Sequence, residues 1–200
     1  SYWTGEGFSD FSLMTTKFGL GWSVKSQIRA VIDVNNDGWP DVIGSRSEGI
    51  FVAFNDGRGH LVGGDEPVAK SFLGSEGWMT RESPRYFADI NADGYPDVIG
   101  IYSTNIQVAL GNGKGFEAPK VWLEGFGSKV QNPTVKPYEM VDMNADGLPD
   151  LVVFAAEGVE VALNTGVSFD PAQHWLSGKL GGAAGSGSWW VATQKDRMVF

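Results

Sequence analysis

Three stretches of the chain alternate hydrophobic and polar residues and then run straight into an acidic turn. They are RAVIDV (29–34), RYFADI (85–90) and YEMVDM (138–143), and DRMVF (196–200) starts a fourth. A period of two marks a strand with one covered face. After each turn comes an apolar run: PDVIGSR (40–46), PDVIGIY (96–102) and PDLVVFA (149–155). A third run follows, GIFVAFN (49–55), NIQVALG (105–111) and GVEVALN (158–164), and SYWTG (1–5) occupies that slot at the N-terminus. Gly-rich turns (NDGRGHL, GNGKGF, NTGVSF) then lead to a more polar, variable fourth strand. The β-branched content supports strands, and none of these runs has a persuasive helical period.

The pattern is an internal repeat. Asp33 and Asp89 are 56 positions apart, and Asp89 and Asp142 are 53 apart. Trp22 and Trp78 keep the step of 56, and Trp190 lies 112 beyond Trp78. Four antiparallel strands repeated at this length predict an all-β fold, a β-propeller of four-stranded blades with an acidic loop between the first and second strands. The units run approximately 22–77, 78–130 and 131–189, with partial units at 1–21 and 190–200, all within a single propeller or propeller fragment over 1–200. Either the C-terminal first strand pairs with the N-terminal strands to close a ring, or the chain is part of a larger propeller, or it completes its ring with another copy.

The acidic turns carry the candidate chemistry. DVNNDGWPD (33–41), DINADGYPD (89–97) and DMNADGLPD (142–150) place oxygen-bearing side chains at positions 1, 3, 5 and 9 and Gly at position 6. Ca²⁺ takes about 6–8 oxygen ligands from carboxylates, amides, peptide carbonyls and water. The candidate ligands are Asp33, Asn35, Asp37 and Asp41; Asp89, Asn91, Asp93 and Asp97; and Asp142, Asn144, Asp146 and Asp150. Position 7 would add its backbone carbonyl, from Trp39, Tyr95 and Leu148, which leaves that side chain free to vary. The start resembles an EF-hand loop, but position 12 is not Glu and the flanks are strands. Asp, Asn and Gly also make ordinary turns; three copies keeping the same four oxygen side chains favour a cation. Oxygen ligands without Cys or nearby His favour Ca²⁺, about three ions, one per complete loop.

Composition narrows the alternatives. The chain has 200 residues, 42% hydrophobic, with 28 Gly and 9 Pro, enough for a packed core joined by many tight turns. It has no Cys, which excludes disulfides and thiolate metal sites. A formal charge of −9 argues against nucleic acid as partner. No stretch has the length of a membrane-spanning helix. Nine of the aspartates lie in the loops, so the acidity fits cation binding.

The unit GW…R…D-x-N-x-D-G-x-P-D-V-I-G…V-A-x-N-x-G-x-G resembles the FG-GAP/VCBS repeat of integrin-α-type calcium-binding propellers. More narrowly, GWSVKSQIRAVIDVNNDGWPDVIG followed by GIFVAFNDGRG is similar to the repeats of Psathyrella velutina-type lectins. The resemblance covers nearly the whole chain. It implies a propeller with calcium in the loops and, for the lectin branch, N-acetylglucosamine or related glycans bound between adjacent blades. A seven-bladed ring would need about twice this length. The third unit departs from the pattern, with VQNPTVKPYE where the others have GWSVKSQIR and GWMTRESPR.

Trp22, Trp78 and Trp190 are followed seven residues later by Arg29, Arg85 and Arg197. One reading is a repeated aromatic–Arg sugar site; the other is packing between blades, the usual role of a landmark in a repeat fold. Trp39 and Tyr95 are expected to project from their loops towards a partner. His60 and His174 sit in no recognisable catalytic motif, and GNGKG reads as a hairpin turn rather than a phosphate loop. The expected function is a calcium-stabilised, non-enzymatic propeller that binds a glycan or glycoprotein and is secreted or displayed at the cell surface. The alternative is a structural or protein-interaction segment of a larger adhesin, toxin component or multidomain secreted protein.

Overall fold

A computed structural model describes residues 18, 27–73, 83, 85–102, 104–125, 138–155 and 158–177. They form three four-stranded antiparallel sheets, each in simple sequence order. The first blade is β1 (Arg29–Ile32), β2 (Asp41–Arg46), β3 (Gly49–Asn55) and β4 (Leu61–Gly63). The second is β5 (Arg85–Ala88), β6 (Asp97–Ile101), β7 (Asn105–Ala109) and β8 (Lys120–Glu124). The third is β9 (Tyr138–Val141), β10 (Asp150–Ala155), β11 (Gly158–Ala162) and β12 (Gln173–Ser177). The described residues are all-β, as the alternation predicts, and among them no helix is long and apolar enough to cross a membrane.

The strand limits follow from who supplies the hydrogen bonds. Alternation continues to position 34, yet β1 stops at Ile32 because the Val34 N–H donates to the Asp41 carboxylate at 2.9 Å. Ile90 and Met143 do the same toward Asp97 and Asp150, each at 2.8 Å. The second strands begin after Pro40, Pro96 and Pro149, which have no N–H to give a ladder.

The core is a stack of side-chain layers between blades. Val34, Ile43, Ile50, Val52 and Phe72 of the first blade and its connection meet Val98, Ala109 and Phe116 of the second. Ile90, Ile99, Ile101, Ile106, Val108 and Trp122 meet Tyr138, Leu151, Val153, Ala162 and Phe169 of the third. Within β6, Val98 faces one layer while Ile99 and Ile101 face the other, so that strand is buried throughout. A sheet covered on both faces needs apolar residues at every position, which accounts for the unbroken run PDVIGIY.

Polar ties cross the same seams. Arg85 is buried and donates from Nη1 to the Phe72 carbonyl at 2.9 Å and the Ser45 hydroxyl at 3.3 Å. Burial lowers its guanidinium to about 10, still charged at neutral pH. The Tyr86 hydroxyl donates to the Tyr138 carbonyl at 3.3 Å, and Trp122 meets Phe169 edge-on with ring centres 5.8 Å apart.

Candidate metal loops and a crevice between blades

The three acidic loops have one conformation. Position 4 is left-handed in each, at Asn36 (φ 57°), Ala92 (58°) and Ala145 (63°), and so is the glycine at position 6, Gly38 (89°), Gly94 (91°) and Gly147 (90°). Alanine in this region costs about 1–2 kcal/mol. That two alanines accept it shows the loop geometry overriding local preference. A Cβ on Gly38 or Gly147 would have open space, so backbone conformation alone demands glycine there.

Backbone N–H groups hold the carboxylates in place. Asp33 accepts from Asp37 at 3.1 Å and Gly38 at 2.7 Å; Asp89 accepts from Asp93 at 3.1 Å and Gly94 at 2.8 Å. Asp142 accepts from Ala145, Asp146 and Gly147 at 2.7, 3.2 and 2.9 Å. These bonds, the Gly147 N–H first among them, hold Asp142 below the usual carboxylate range. The asparagines at position 3 accept from the position-5 N–H and donate from Nδ2 to the position-5 carboxylate at 2.8, 2.9 and 2.8 Å. Asp37, Asp93 and Asp146 each accept the N–H two residues on.

Position 9 differs from the others in kind. Asp41, Asp97 and Asp150 are fully buried. One oxygen of each accepts the position-2 N–H, and the other accepts an N–H at the end of the third strand: Asn55 at 2.7 Å, Gly111 at 2.6 Å and Asn164 at 2.7 Å. Burial pushes Asp97 up to about 6, against those two backbone bonds, with the charges of Asp93 and Asp89 adding to the rise. Asp41 is raised for the same leading reason.

The donor set suits a hard divalent ion. Every candidate atom is oxygen, and carboxylate oxygens with one N–H partner keep a lone pair. Among the described residues no group of three or more His, Asp or Glu side chains is gathered as a ready metal cage. An ion in these loops would therefore draw on Asn35, Asn91 and Asn144 and on peptide carbonyls as well as carboxylates.

The position-7 side chains do not project freely. Trp39 lies across Gly57 of its own β3–β4 turn, where an added Cβ would come 2.7 Å from its Nε1. Tyr95 covers Gly113 in the same way, at 2.8 Å from such a Cβ, and a Cβ on Gly166 would come 3.6 Å from Leu148. Trp39 is still 51% exposed. Of the aromatic–Arg candidates, Arg85 sits in the seam described above, and Arg29 is exposed with Nη1 donating to the Phe18 carbonyl at 3.1 Å. Trp22, Trp78, Trp190 and Arg197 lie outside the described residues.

Between the first and second blades opens a crevice of about 430 Å³ lined by Asn35, Phe54, Tyr95, Asn112, Gly113 and Lys114. Asn35 belongs to the first acidic loop and Tyr95 to the second, so both loops form its walls. The GNGKG segment is the hairpin expected: the Asn112 N–H donates to the Gly115 carbonyl at 3.1 Å, and Asn112 Oδ1 accepts from Lys114 and Gly115. Its place opposite the preceding blade makes it part of the crevice wall, and no single repeat reveals that. At the next seam the corresponding positions are Asn91, Leu110, Leu148, Thr165, Gly166 and Val167, with no aromatic ring and no cation.

Residues 33–99 match the FG-GAP-like repeat. The FG-GAP-like stretch spans the first two acidic loops, and the third loop repeats their geometry beyond it. The fold is similar to that of an Agrocybe aegerita lectin that specifically recognises non-reducing terminal N-acetylglucosamine, with TM-score 0.74 and 25% identity. That match covers 79% of this chain and 40% of the lectin chain. A second likeness is to the Photorhabdus luminescens Tc holotoxin pore, with TM-score 0.55 and 15% identity over 76% of this chain and 7% of that one. No curated protein matches the chain.

Proposed function

We propose that the chain is a calcium-stabilised, non-enzymatic propeller module that binds carbohydrate in the crevice between its first two blades. The observation that carries this reading is the crevice lining. Tyr95 and Phe54 offer aromatic surface beside the amides of Asn35 and Asn112 and the ammonium of Lys114. A sugar ring rests its C–H face on an aromatic side chain and satisfies its hydroxyls with fixed donors and acceptors. The likeness to a lectin that recognises terminal N-acetylglucosamine supports a glycan with that end group as the ligand.

Calcium, one ion per loop, would be held by the carboxylates at positions 1, 5 and 9, the asparagine at position 3 and the carbonyl at position 7. When bound, it would neutralise the crowded carboxylates. Loops of this kind suit a secreted or surface protein, where calcium is plentiful enough for modest affinity.

The test is a glycan array and calorimetry with N-acetylglucosamine-terminated oligosaccharides, run with calcium and with EDTA. Retention of those glycans by the native chain, with loss in Tyr95→Ala protein that is still folded and calcium-loaded, is the expected result. Silence on every glycan from folded, calcium-loaded protein overturns the carbohydrate reading and leaves a protein-interaction segment of a larger assembly.

A further inference from the structure

The residue just past the third-strand core is Asn55, Gly111 and Asn164 in successive blades. Its backbone N–H does the same work each time, donating to the buried carboxylate of its own acidic loop. Its side chain does not. In the first blade Asn55 Nδ2 donates to the Pro40 carbonyl of its own loop at 3.2 Å. In the second blade there is no side chain, and a Cβ would collide with the Pro96 carbonyl.

In the third blade, Asn164 is 3% exposed and its Nδ2 has two acceptors on two loops. One is Pro149 of its own loop at 3.1 Å; the other is Ile90 of the preceding blade's loop, 74 positions away, at 2.7 Å. The Ile90 N–H donates to Asp97, as the Asn164 N–H donates to Asp150. The side-chain amide of Asn164 and the backbone of Asn164 and Ile90 thus join the buried carboxylates of neighbouring loops.

We propose that Asn164 is a positioning residue that makes cation binding in the second and third loops mutually dependent. The inference rests on the cation reading of the loops and adds a coupling to it. A buried amide cannot release either carbonyl without leaving polar groups unsatisfied. A shift of the Ile90 peptide in one loop therefore reaches the Pro149 peptide in the other. Such coupling is reciprocal, and a fivefold change in affinity is the lower end of its usual range.

The experiment measures calcium affinity of the third loop by calorimetry in Asp37→Asn protein, which leaves the second and third loops working. Adding Asp93→Asn, which disables the second loop, should weaken the third about fivefold or more. In the Asn164→Gly background, carrying the residue the second blade already has, the same addition should change the third loop less than twofold. Asn55→Gly should leave the coupling intact. Amide hydrogen exchange in EDTA gives a readout without metal: Asn164→Gly should speed exchange at Ile90, Asp93 and Gly94. Independent affinities in protein that retains Asn164 overturn the coupling, and need no Asn164 variant to be seen. Coupling that persists in Asn164→Gly overturns the role of Asn164. Absence of calcium heat from every loop would overturn the cation reading, and this coupling with it.

Discussion

Stripping calcium from the chain should lower its melting temperature by tens of degrees, and the structure says how that loss divides. A ligand that binds only the folded form stabilises it by RT ln(1 + [L]/Kd), about 2.7 kcal/mol per site at a hundredfold excess over Kd. Three loops with matching dihedral angles should contribute similarly, about 8 kcal/mol together. In a protein of this size each kcal/mol moves the midpoint by about 2–4 °C, so the full effect is about 16–32 °C. Asp37, Asp93 and Asp146 are exposed and accept a hydrogen bond from the N–H two residues on, which an Asn oxygen can still accept. Each position-5 Asp→Asn change should therefore cost only about 0.5–1 kcal/mol in EDTA. In calcium Asp37→Asn should remove its loop's whole share, about 5–11 °C, and Asp93→Asn or Asp146→Asn somewhat more, because each also weakens the loop coupled to it. Calorimetric melts of the parent chain and the three single variants, with millimolar calcium and with EDTA, give the eight midpoints needed. Equal midpoints for the parent in the two buffers would refute the role of calcium. Equal losses for the variants in both buffers would show that these carboxylates serve the turn and not an ion.

Other outcomes follow from packing and backbone. Ile99→Ala, at a fully buried position between the second and third blades, should cost about 2–5 kcal/mol in urea denaturation. Gly111→Ala drives a Cβ into the Pro96 carbonyl, and because backbone yields little it should cost about 1–3 kcal/mol. Gly38→Ala meets open space and should lose only the left-handed penalty, about 1–2 kcal/mol. Ala92→Asn puts at a left-handed position the residue that the first loop has there, and should raise stability by up to about 1 kcal/mol in the same assay.

The strands were legible because period-two alternation and the acidic turn recur together three times, and the β-strands fall where that pattern places them. The ends of the first strands were not. RAVIDV alternates through Val34, and only the approach of Asp41 from across the loop takes that N–H out of the ladder. Position 9 reads in sequence as one more candidate ligand; in the fold it is the buried anchor between the loop and the end of the third strand. Trp39 and Tyr95 read as projecting side chains because the glycine each one covers belongs to a turn 18 residues further along. Contacts across a seam leave the weakest trace, since they depend on how one blade stacks on the next.

The two described seams start from one repeat and end differently, and few substitutions account for it. At the first seam Tyr95, Asn112 and Lys114 face Asn35 and Phe54 around an open crevice. At the second, Leu148, Thr165 and Val167 hold the corresponding places, while Asn164 reaches across to the preceding loop. A leucine has no ring for a sugar face and a valine no donor for a hydroxyl, so the sugar-binding chemistry proposed for the first crevice is missing from these positions of the third blade. Gly111 is the counterpart of Asn164, and the Pro96 carbonyl leaves no room there for a side chain to bridge to the first loop. The same position thus joins loops at one seam and stays bare at the other. Repetition supplies the scaffold, and departures from it leave an open crevice at one seam and a buried amide bridge between loops at the other.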